Sequence, residues 1–391
     1  MILAKDKGFL PYRAWAEINL DNVDHNFNEI RKLVGNCQIA CVLKGNAYGH
    51  GAIQFAKTLA QNGATYFITN TAEEAIQLRK HGLTQPILVL CMVSPAVIPE
   101  LVDMNITVTI GNSAMARNYA SVLGRRRLRI HLKVETGLNR TGFSIDEFAR
   151  AYDELKHQDC FLVEGIYTHF AVAEDDDLKD FTQNQLSEFV HLLQENCNND
   201  SSQLFLHIAN SASIMNYPAS YGTPFNLVRP GMLLCGINPA KQSPIHLKPV
   251  LELHAQITQI KEVEPGEGVS YGFLWRADQK TRVATASIGY ADGLQRALTQ
   301  RLEVIINGQK VPQIGRIAMD SSMYDISMIP EAKVGDHITI IGQNGELFNG
   351  VEKVAGLVAT IPNEFLSGIS MRVPRVFHRN GAVVEIANYL V

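Results

Sequence analysis

The sequence predicts an α/β protein in which a (β/α)8 TIM barrel is followed by a mostly β C-terminal domain. Between residues 38 and 229, eight short runs rich in β-branched residues alternate with amphipathic helical patterns. Near residue 250 helical periodicity fades, and short strands separated by Gly, Asn and Pro turns follow. The length of 391 residues exceeds the roughly 250–300 at which a single core stops growing. We therefore predict two domains, residues 1–245 and 246–391.

Each barrel strand is predicted from a short apolar run bounded by turn residues. The strands are expected at 38–44, 65–69, 86–91, 106–110, 128–135, 161–168, 204–209 and 226–229. Helices are expected at 21–34, 52–61, 72–80, 113–123, 146–156 and 178–195, and several are followed by a glycine in a C-cap position. The alternative fold is an open doubly wound sheet, but its GxGxxG fingerprint after the first strand is absent.

The C-terminal domain is predicted from six β runs separated by turn residues. They lie at 251–261, 281–288, 302–306, 310–314, 318–326 and 337–341. Asn307 and Gly308 separate two of these runs and predict a two-residue hairpin turn. A further strand near residues 14–20 opens the chain and can pack with this domain.

Composition excludes several classes of partner. A net charge of −4 gives no electrostatic signal for nucleic acid or an anionic membrane. The N-terminus lacks the apolar segment of a signal peptide, and the longest apolar run, 87–93, is far shorter than the ~20 residues that span a bilayer. The six cysteines form no CxxC pair and no metal-spaced cluster with histidine, which indicates a reducing compartment. We expect a cytoplasmic protein that binds a small molecule and no metal.

Polar residues stand at the carboxyl ends of the predicted barrel strands, where barrel enzymes place their active sites. Lys44 follows the apolar run 39–43, so it is either a rim lysine or a desolvated amine that forms a Schiff base. The Gly-rich, hydroxyl-bearing loop after Lys44 favours the second interpretation. Strands seven and eight end at the usual phosphate corner of such barrels, which Ser211 and the Gly231 backbone suit. A lysine together with a phosphate corner indicates pyridoxal phosphate.

The stretch VLKGNAYGHG at residues 42–51 resembles the pyridoxal-phosphate signature of the alanine racemase family. The resemblance covers nearly the whole chain in register. Further matching motifs lie at 131–140, 168–170, 207–211, 228–231, 269–272, 288–292, 314–320 and 372–375. It implies a racemase that interconverts L- and D-alanine with pyridoxal 5′-phosphate, and a head-to-tail homodimer with shared active sites.

The resemblance also implies roles for single residues. Lys44 would hold the cofactor as an imine and exchange the α-proton on the D face. Tyr271, contributed by the partner subunit, would be the base on the L face, with His169 hydrogen-bonded to it. Arg229 would face the pyridine nitrogen, supported by His207. The cofactor-binding residues would be Lys44, Tyr48, His169, Asn210, Ser211, Arg229, Gly231 and Met232.

A second set of residues would bind the substrate. The resemblance places Arg140 at the cofactor phenolate and the substrate carboxylate, with Lys133, carbamylated in many relatives, orienting it. Met319 would bind the carboxylate through its backbone beside Asp320. Tyr290 and Arg316 would line the entrance channel.

These roles agree with the chemistry of racemisation. Two bases on opposite faces of one planar carbon are needed, and a lysine and a tyrosine provide them. An arginine at the pyridine nitrogen does not readily give up a proton, which discourages full electron withdrawal into the ring. A short-lived carbanion is then reprotonated before transamination.

The sequence departs from the family at Asn363, where a tyrosine usually closes the pocket over the substrate methyl group. Asparagine is smaller and offers both a donor and an acceptor. Some serine-racemising members of the family carry asparagine here, so serine, or both amino acids, is the alternative substrate.

Other interpretations stand beside these. A pyridoxal-phosphate decarboxylase on the same barrel would carry a carboxylate where this chain has Arg229, and a cofactor-storage protein would not need the second domain. Taken alone, His207 is more often a buried core histidine, and Tyr48 and Tyr290 ordinary aromatic packing. Arg372 and Arg375 are interpreted as surface or domain-joining residues.

Overall fold

The structure is a computed structural model that describes residues 12–197, 203–240 and 244–390. The chain divides into two compact units. The barrel unit contains the described residues of 22–48 and 52–248, and the β unit contains those of 1–21, 49–51 and 249–391. No helix among the described residues is long and apolar enough to cross a bilayer.

The first strand, β1 (Ala14–Asn19), belongs to the β unit. It pairs antiparallel with Leu251–Val263 on one side and parallel with Arg375–Arg379 on the other, so it is a central strand of that sheet. Three of its apolar side chains, Trp15, Ala16 and Ile18, are buried there. The β unit therefore includes an N-terminal segment that lies within the predicted limits of the first domain, because strand pairing does not follow chain order.

The barrel unit is built on eight parallel strands in the order β8-β7-β6-β5-β4-β3-β2-β9. These are β2 (Gln38–Val42), β3 (Tyr66–Thr69), β4 (Ile87–Val89), β5 (Thr107–Ile110), β6 (Leu128–Lys133), β7 (Phe161–Tyr167), β8 (Phe205–His207) and β9 (Leu227–Val228). The ring closes where Asn226 N donates to Leu206 O at 3.1 Å and Arg229 N to Ala209 O at 3.0 Å. The predicted (β/α)8 barrel is confirmed, and each predicted strand run contains one observed strand.

Helices fill the crossovers between these strands. They are α1 (Leu20–Val34), α3 (Ala52–Gln61), α4 (Ala72–Lys80), α5 (Ile98–Asp103), α6 (Ser113–Leu123), α7 (Ile145–Lys156), α8 (Lys179–Cys197) and α9 (Ser211–Asn216), while α2 (Lys44–Tyr48) is a left-handed turn. Thr71 and Ser144 begin α4 and α7 with capping boxes. In each box the hydroxyl accepts from the backbone N–H of the glutamate three residues later, and that glutamate side chain accepts from the backbone N–H of the capping residue. The short helices α5 and α9 were not predicted, since six residues carry too little periodicity.

The β unit contains a ten-stranded sheet in the order β18-β17-β14-β15-β16-β13-β10-β1-β19-β20. Its remaining elements are β10 (Leu251–Val263), β13 (Thr281–Ala286), β14 (Glu303–Ile306), β15 (Gln309–Ile314), β16 (Ser322–Asp325), β17 (His337–Asn344), β18 (Leu347–Asn349), β19 (Arg375–Arg379) and β20 (Ala382–Ala387), with the separate hairpin β11 (Gly268–Val269) and β12 (Trp275–Arg276) and the helices α10 (Val351–Gly356) and α11 (Pro362–Ser367). The predicted hairpin is present, with Ile306 opposite Gln309 and both turn residues at positive φ.

Two predictions for the β unit need correction. The strand expected at 318–326 covers only Ser322–Asp325, because the carbonyls of Ala318 and Met319 accept hydrogen bonds from the backbone of Tyr290 and Ala291 instead of from a strand. Of the two alternatives for Arg375, surface or domain-joining, the first is wrong: Arg375 is 1% exposed and donates to the carbonyls of Gly49, Ile369, Ser370 and Val373. A guanidinium with five N–H donors can satisfy several buried carbonyls at once.

Candidate active site

Lys44 begins an unusual left-handed turn at the carboxyl end of β2. Gly45, Asn46, Ala47 and Tyr48 all have φ between +52° and +62°. For the three residues with a Cβ, this conformation costs about 1–2 kcal/mol each. Two side-chain contacts hold the turn: Glu74 Oε1 accepts from Gly45 N at 2.6 Å, and Asn46 Oδ1 accepts from Ala52 N at 2.8 Å. Such strain is typical of a functional segment held by its surroundings.

The electrostatic surroundings of Lys44 favour its neutral form. Burial lowers the pKa of its amine, and the nearby charges of Arg140 and Arg229 lower it further, against the opposing effect of Glu74. A lysine that loses its proton more readily than usual is available both as a nucleophile and as a base.

The left-handed turn brings Tyr48 against the backbone at the end of β9. A Cβ at Gly231 would overlap the Tyr48 hydroxyl, so only glycine allows this approach. Gly231 N donates to Ser211 Oγ at 3.0 Å, and burial raises the pKa of Tyr48, which keeps the phenol protonated. The predicted residues Tyr48, Ser211 and Gly231 therefore meet at one corner of the barrel.

Two further predicted cofactor residues flank this corner. Asn210 caps α9, with its Oδ1 accepting from Ser213 N at 3.0 Å. Met232 is 5% exposed and follows Gly231 directly. The cap fixes the direction of the backbone that carries Ser211.

Arg229 is a buried cation whose described hydrogen-bond acceptors are all neutral. It donates to His207 Nδ1 at 2.9 Å, to His169 Nδ1 at 3.0 Å, and to the backbone carbonyls of Thr168 and Ile208 at 2.9 and 3.1 Å. No carboxylate among the described residues forms an ion pair with it. Burial lowers its pKa to about 10, so it remains charged at neutral pH.

The two histidines that accept from Arg229 are uncharged. Burial and the charge of Arg229 lower the pKa values of His169 and His207 well below the usual range. Both can therefore offer a lone pair on Nδ1, which a protonated imidazole could not.

Lys133 and Arg140 add positive charge to the same end of the barrel. Lys133 Nζ donates to Thr141 Oγ1 at 2.6 Å, and burial together with the charge of Arg140 lowers its pKa to about 8. Glu135 accepts from the backbone N–H groups of Gly137 and Arg140 at 2.7 and 3.0 Å, which fixes the loop. The Arg140 side chain is exposed.

Sequence reasoning assigned no role to His131 or Tyr66, although both belong to the hydrogen-bond network around Arg229. His131 Nδ1 lies 2.9 Å from His207 Nε2, and its Nε2 lies 3.3 Å from Tyr66 Oη. One signal was available: His131 and Lys133 are two positions apart on one strand, so their side chains share a face. The register of Tyr66 on another strand could not be read in this way.

In the β unit, Tyr271 lies at the start of a short turn after β11. Its side chain is 72% exposed. The preceding residue, Ser270, has a φ of +63° and donates from its Oγ to Arg316 O at 2.7 Å. Arg316 Nε is buried without a hydrogen-bond partner among the described residues. Thus the predicted base Tyr271 and the predicted channel residue Arg316 are on neighbouring loops.

The other predicted residues of the β unit lie in two loops and in α11. Tyr290 and Met319 are 44% and 53% exposed. Asp320 accepts from Arg372 Nη2 at 2.7 Å, and Asp292, which is fully buried, accepts from Arg13 at 2.5 Å. Asn363 lies in α11, where its carbonyl accepts from Ser367 Oγ at 2.5 Å.

The predicted residues thus form two groups, one in each unit. The barrel unit carries Lys44, Tyr48, Lys133, Arg140, His169, His207, Asn210, Ser211, Arg229, Gly231 and Met232, and the β unit carries Tyr271, Tyr290, Arg316, Met319, Asp320 and Asn363. The first group offers an amine, a phosphate corner and a buried guanidinium, and the second an exposed phenol.

The chain matches two family models that together cover most of its length. Residues 18–239 match the alanine racemase N-terminal domain, and residues 250–377 match the alanine racemase C-terminal domain. "Alanine racemase 1" of Caldanaerobacter subterraneus subsp. tengcongensis is 36% identical over 393 residues, covering 99% of this chain and 100% of the relative. The alanine racemase of Desulforamulus reducens is 39% identical over 373 residues, covering 93% and 98%.

Solved structures agree with these matches. An alanine racemase from Bacillus anthracis with bound L-Ala-P has a TM-score of 0.90 at 34% identity, covering 98% of this chain and 99% of its own. A histidine racemase from Leuconostoc mesenteroides subsp. sake has a TM-score of 0.86 at 28% identity, covering 96% and 100%. These relatives are named for alanine or histidine and lend no support to serine as the substrate. The chain belongs to the alanine racemase family and is an amino-acid racemase.

Proposed function

We propose that this racemase interconverts L- and D-alanine with pyridoxal 5′-phosphate, using Lys44 and Tyr271 as its two bases. The observation that carries the proposal is that two basic groups occur together in the barrel unit. Lys44 is an amine with a lowered pKa, and Arg229 is a buried guanidinium that has no carboxylate partner among the described residues. The relatives named for alanine support the choice of substrate.

The residues of the barrel unit fit this cofactor. The corner of Tyr48, Ser211 and Gly231 offers hydroxyl and backbone donors for a phosphate, with Asn210 and Met232 beside it. A phosphate is an anion, and the basic side chains of Arg140 and Arg229 lie close enough to Lys44 to lower its pKa. When bound, pyridoxal phosphate supplies an imine to the substrate nitrogen and an electron sink that weakens the Cα–H bond.

Arg229 would face the pyridine nitrogen of the cofactor. A guanidinium only donates hydrogen bonds, and its pKa of about 10 keeps it charged at neutral pH. It would therefore donate a hydrogen bond to the ring nitrogen while keeping its proton, which would limit how far negative charge moves into the ring. The same feature argues against the decarboxylase alternative, which would carry a carboxylate at this position.

The proton steps are assigned to two side chains on opposite faces of the substrate carbon. Lys44 Nζ holds or returns a proton at Cα on the D face, and Tyr271 Oη does so on the L face. We propose that Tyr271 is supplied by the partner subunit of a head-to-tail homodimer. Its 72% exposure in the single chain suits a residue that acts in a neighbouring site. His169, whose Nδ1 accepts from Arg229, retains an N–H at Nε2 for the partner's Tyr271.

The substrate would be oriented by residues from both groups. Arg140, steadied by Lys133, and the Met319 backbone beside Asp320 would bind its carboxylate, and Asn363 would lie near its methyl group. Tyr290 and Arg316 would line the entrance.

The six cysteines are all free, as expected of a protein that works in a reducing cytoplasm.

The direct test is chiral analysis of L-alanine incubated with the purified protein and pyridoxal phosphate. We expect D-alanine to accumulate until the two enantiomers are equal, and omission of the cofactor from a stripped protein to prevent it. Parallel incubations with L-serine and L-histidine measure selectivity. Turnover of either of these without turnover of alanine would contradict the proposed substrate.

A further inference from the structure

A line of hydrogen-bonded side chains runs through the interior of the barrel unit from Arg229. Arg229 Nη1 donates to His207 Nδ1 at 2.9 Å, His207 Nε2 lies 2.9 Å from His131 Nδ1, and His131 Nε2 lies 3.3 Å from Tyr66 Oη. All four residues are at most 4% exposed. Each polar atom in this line therefore depends on its neighbour, since bulk water does not reach it.

The direction of every hydrogen bond in the line follows from Arg229. A guanidinium has no acceptor, so His207 Nδ1 must accept and the single proton of neutral His207 is on Nε2. That proton is donated to His131 Nδ1, which places the proton of neutral His131 on its Nε2. Burial lowers the pKa of His131 to about 3, so this histidine is neutral as the argument requires. His131 then donates to the Tyr66 oxygen.

The far end of the line lies near an ion pair. Glu164 raises the pKa of Tyr66, an effect second only to burial, whereas Thr107 and Arg129 lower it. Glu164 accepts from Thr107 Oγ1 at 3.2 Å and is ion-paired with Arg129. The charge that orients both imidazoles is therefore that of Arg229, whose described acceptors are all neutral.

Close packing confines both imidazole rings to their planes. A Cβ at Gly165 would lie 2.7 Å from the His131 Cε1 and Nδ1 atoms, so β7 leaves room for this ring only through the absence of a side chain. The Tyr167 ring stacks on His207 at 4.8 Å with an interplanar angle of 10°. The planes of both rings are thus held by packing, and their nitrogens by the hydrogen bonds of the line.

We propose that Tyr66 and His131 are positioning residues for Arg229. They accept the N–H groups that Arg229 directs along the line, and they thereby hold the His207 ring against which Arg229 is oriented. The tautomer assignment concerns the chain alone, while its effect on turnover rests on the proposed function.

The test is ¹⁵N NMR of histidine-labelled protein without cofactor, with signals assigned by their loss in His131→Asn and His207→Asn. The wild-type protein is expected to show both residues as neutral Nε2–H tautomers. Tyr66→Phe removes the acceptor at the end of the line, so the His131 Nε2 signal should shift as its N–H loses its partner while His207 stays Nε2–H, and kcat/KM of the loaded enzyme should fall about threefold to tenfold. Tyr119→Phe is the matched control, because it removes another buried phenol hydroxyl, one bonded to Val93 N at 3.0 Å. It should change neither measurement.

An Nδ1–H tautomer on either histidine of the wild-type protein would overturn the proposal. So would an unshifted His131 Nε2 signal in Tyr66→Phe, or a shifted signal with unchanged kcat/KM. If Tyr66→Phe does not fold, Glu164→Gln replaces it, and the His131 Nε2 signal should shift because the carboxylate that acts on Tyr66 is removed; an unshifted signal there would also refute the proposal. A wild-type protein with the expected tautomers but no racemisation would instead refute the proposed function.

Discussion

The charged groups around the predicted site residues differ between the two units. In the β unit, the buried carboxylate of Asp292 pairs with Arg13 at 2.5 Å, and the more exposed Arg372 and Asp320 pair at 2.7 Å. In the barrel unit, Arg229 has only neutral acceptors, and Lys44 and Lys133 have pKa values lowered by burial and by other cations. An ion pair compensates its own desolvation, whereas clustered cations are stable only at a cost. We therefore expect the anionic cofactor to bind in the barrel unit.

The largest expected effect comes from Lys44. Lys44→Ala removes both the amine that would bind the cofactor and one of the two bases, so racemisation should fall by at least about 10³-fold. The visible absorbance of the imine should disappear with it. Lys57→Ala is the control, because Lys57 is an exposed lysine of α3 in the same unit. Near wild-type turnover by Lys44→Ala would refute the cofactor assignment.

The second prediction asks whether the two groups act together across subunits. Mixing inactive Lys44→Ala and Tyr271→Phe chains should restore about a quarter of wild-type activity, because half of the randomly paired dimers would carry one intact site of two. The measurement is racemisation after demonstrated subunit exchange. Mixing each variant with itself is the control and should restore nothing. Exchange without recovered activity would count against a shared site.

A smaller effect tests the cost of the clustered cations. Lys133 has a pKa of about 8 in the folded protein, below the ~10.4 of an unfolded chain. Below about pH 8 both states are protonated and folding bears the full cost; between about pH 8 and 10.5 the unfolded state binds more protons, so stability rises with pH. Lys133→Met should therefore raise the free energy of unfolding by about 1–2 kcal/mol at pH 7 after discounting for solvent screening, with the gain lost above about pH 10. Urea unfolding followed by circular dichroism measures it.

A substitution in the β unit should change the free energy of unfolding in the opposite direction. Asp292→Asn keeps the shape of the side chain but leaves Arg13 without its buried counter-charge, so unfolding should become about 2 kcal/mol easier. The two tryptophans, Trp15 and Trp275, both lie in the β unit, so their fluorescence reports its unfolding. If both variants change stability in the same direction, the contrast between the units is wrong.

The smallest expected effect concerns the substrate pocket. Asn363→Tyr adds a phenol where the family usually has one, and a difference of shape in such a pocket is worth about 1–3 kcal/mol. We expect the ratio of kcat/KM for L-alanine over L-serine to rise by about tenfold or less, measured at saturating cofactor. An unchanged ratio would mean that Asn363 does not face the substrate side chain.

Much of the fold could be predicted because it depends on local patterns. The eight apolar runs that became β2 to β9 are continuous and separated by capped helices, which suits strands buried on both faces of a parallel sheet. The Asn307-Gly308 turn was predicted for the same reason, since its residues tolerate positive φ. The positions of Lys44, Ser211 and Gly231 at strand ends were likewise predictable once the barrel was inferred.

Features that depend on partners distant in the chain could not be predicted. The sequence could not show that β1 enters the sheet of the β unit between β10 and β19, because either unit could have paired with an apolar strand. It gave no sign that Arg375 is buried among four carbonyls, or that Tyr66 closes the line that begins at Arg229. Residue type and spacing determine which side chains can do chemistry and which strand they end. The ionisation and tautomer of each group depend on what burial and long-range packing place beside it.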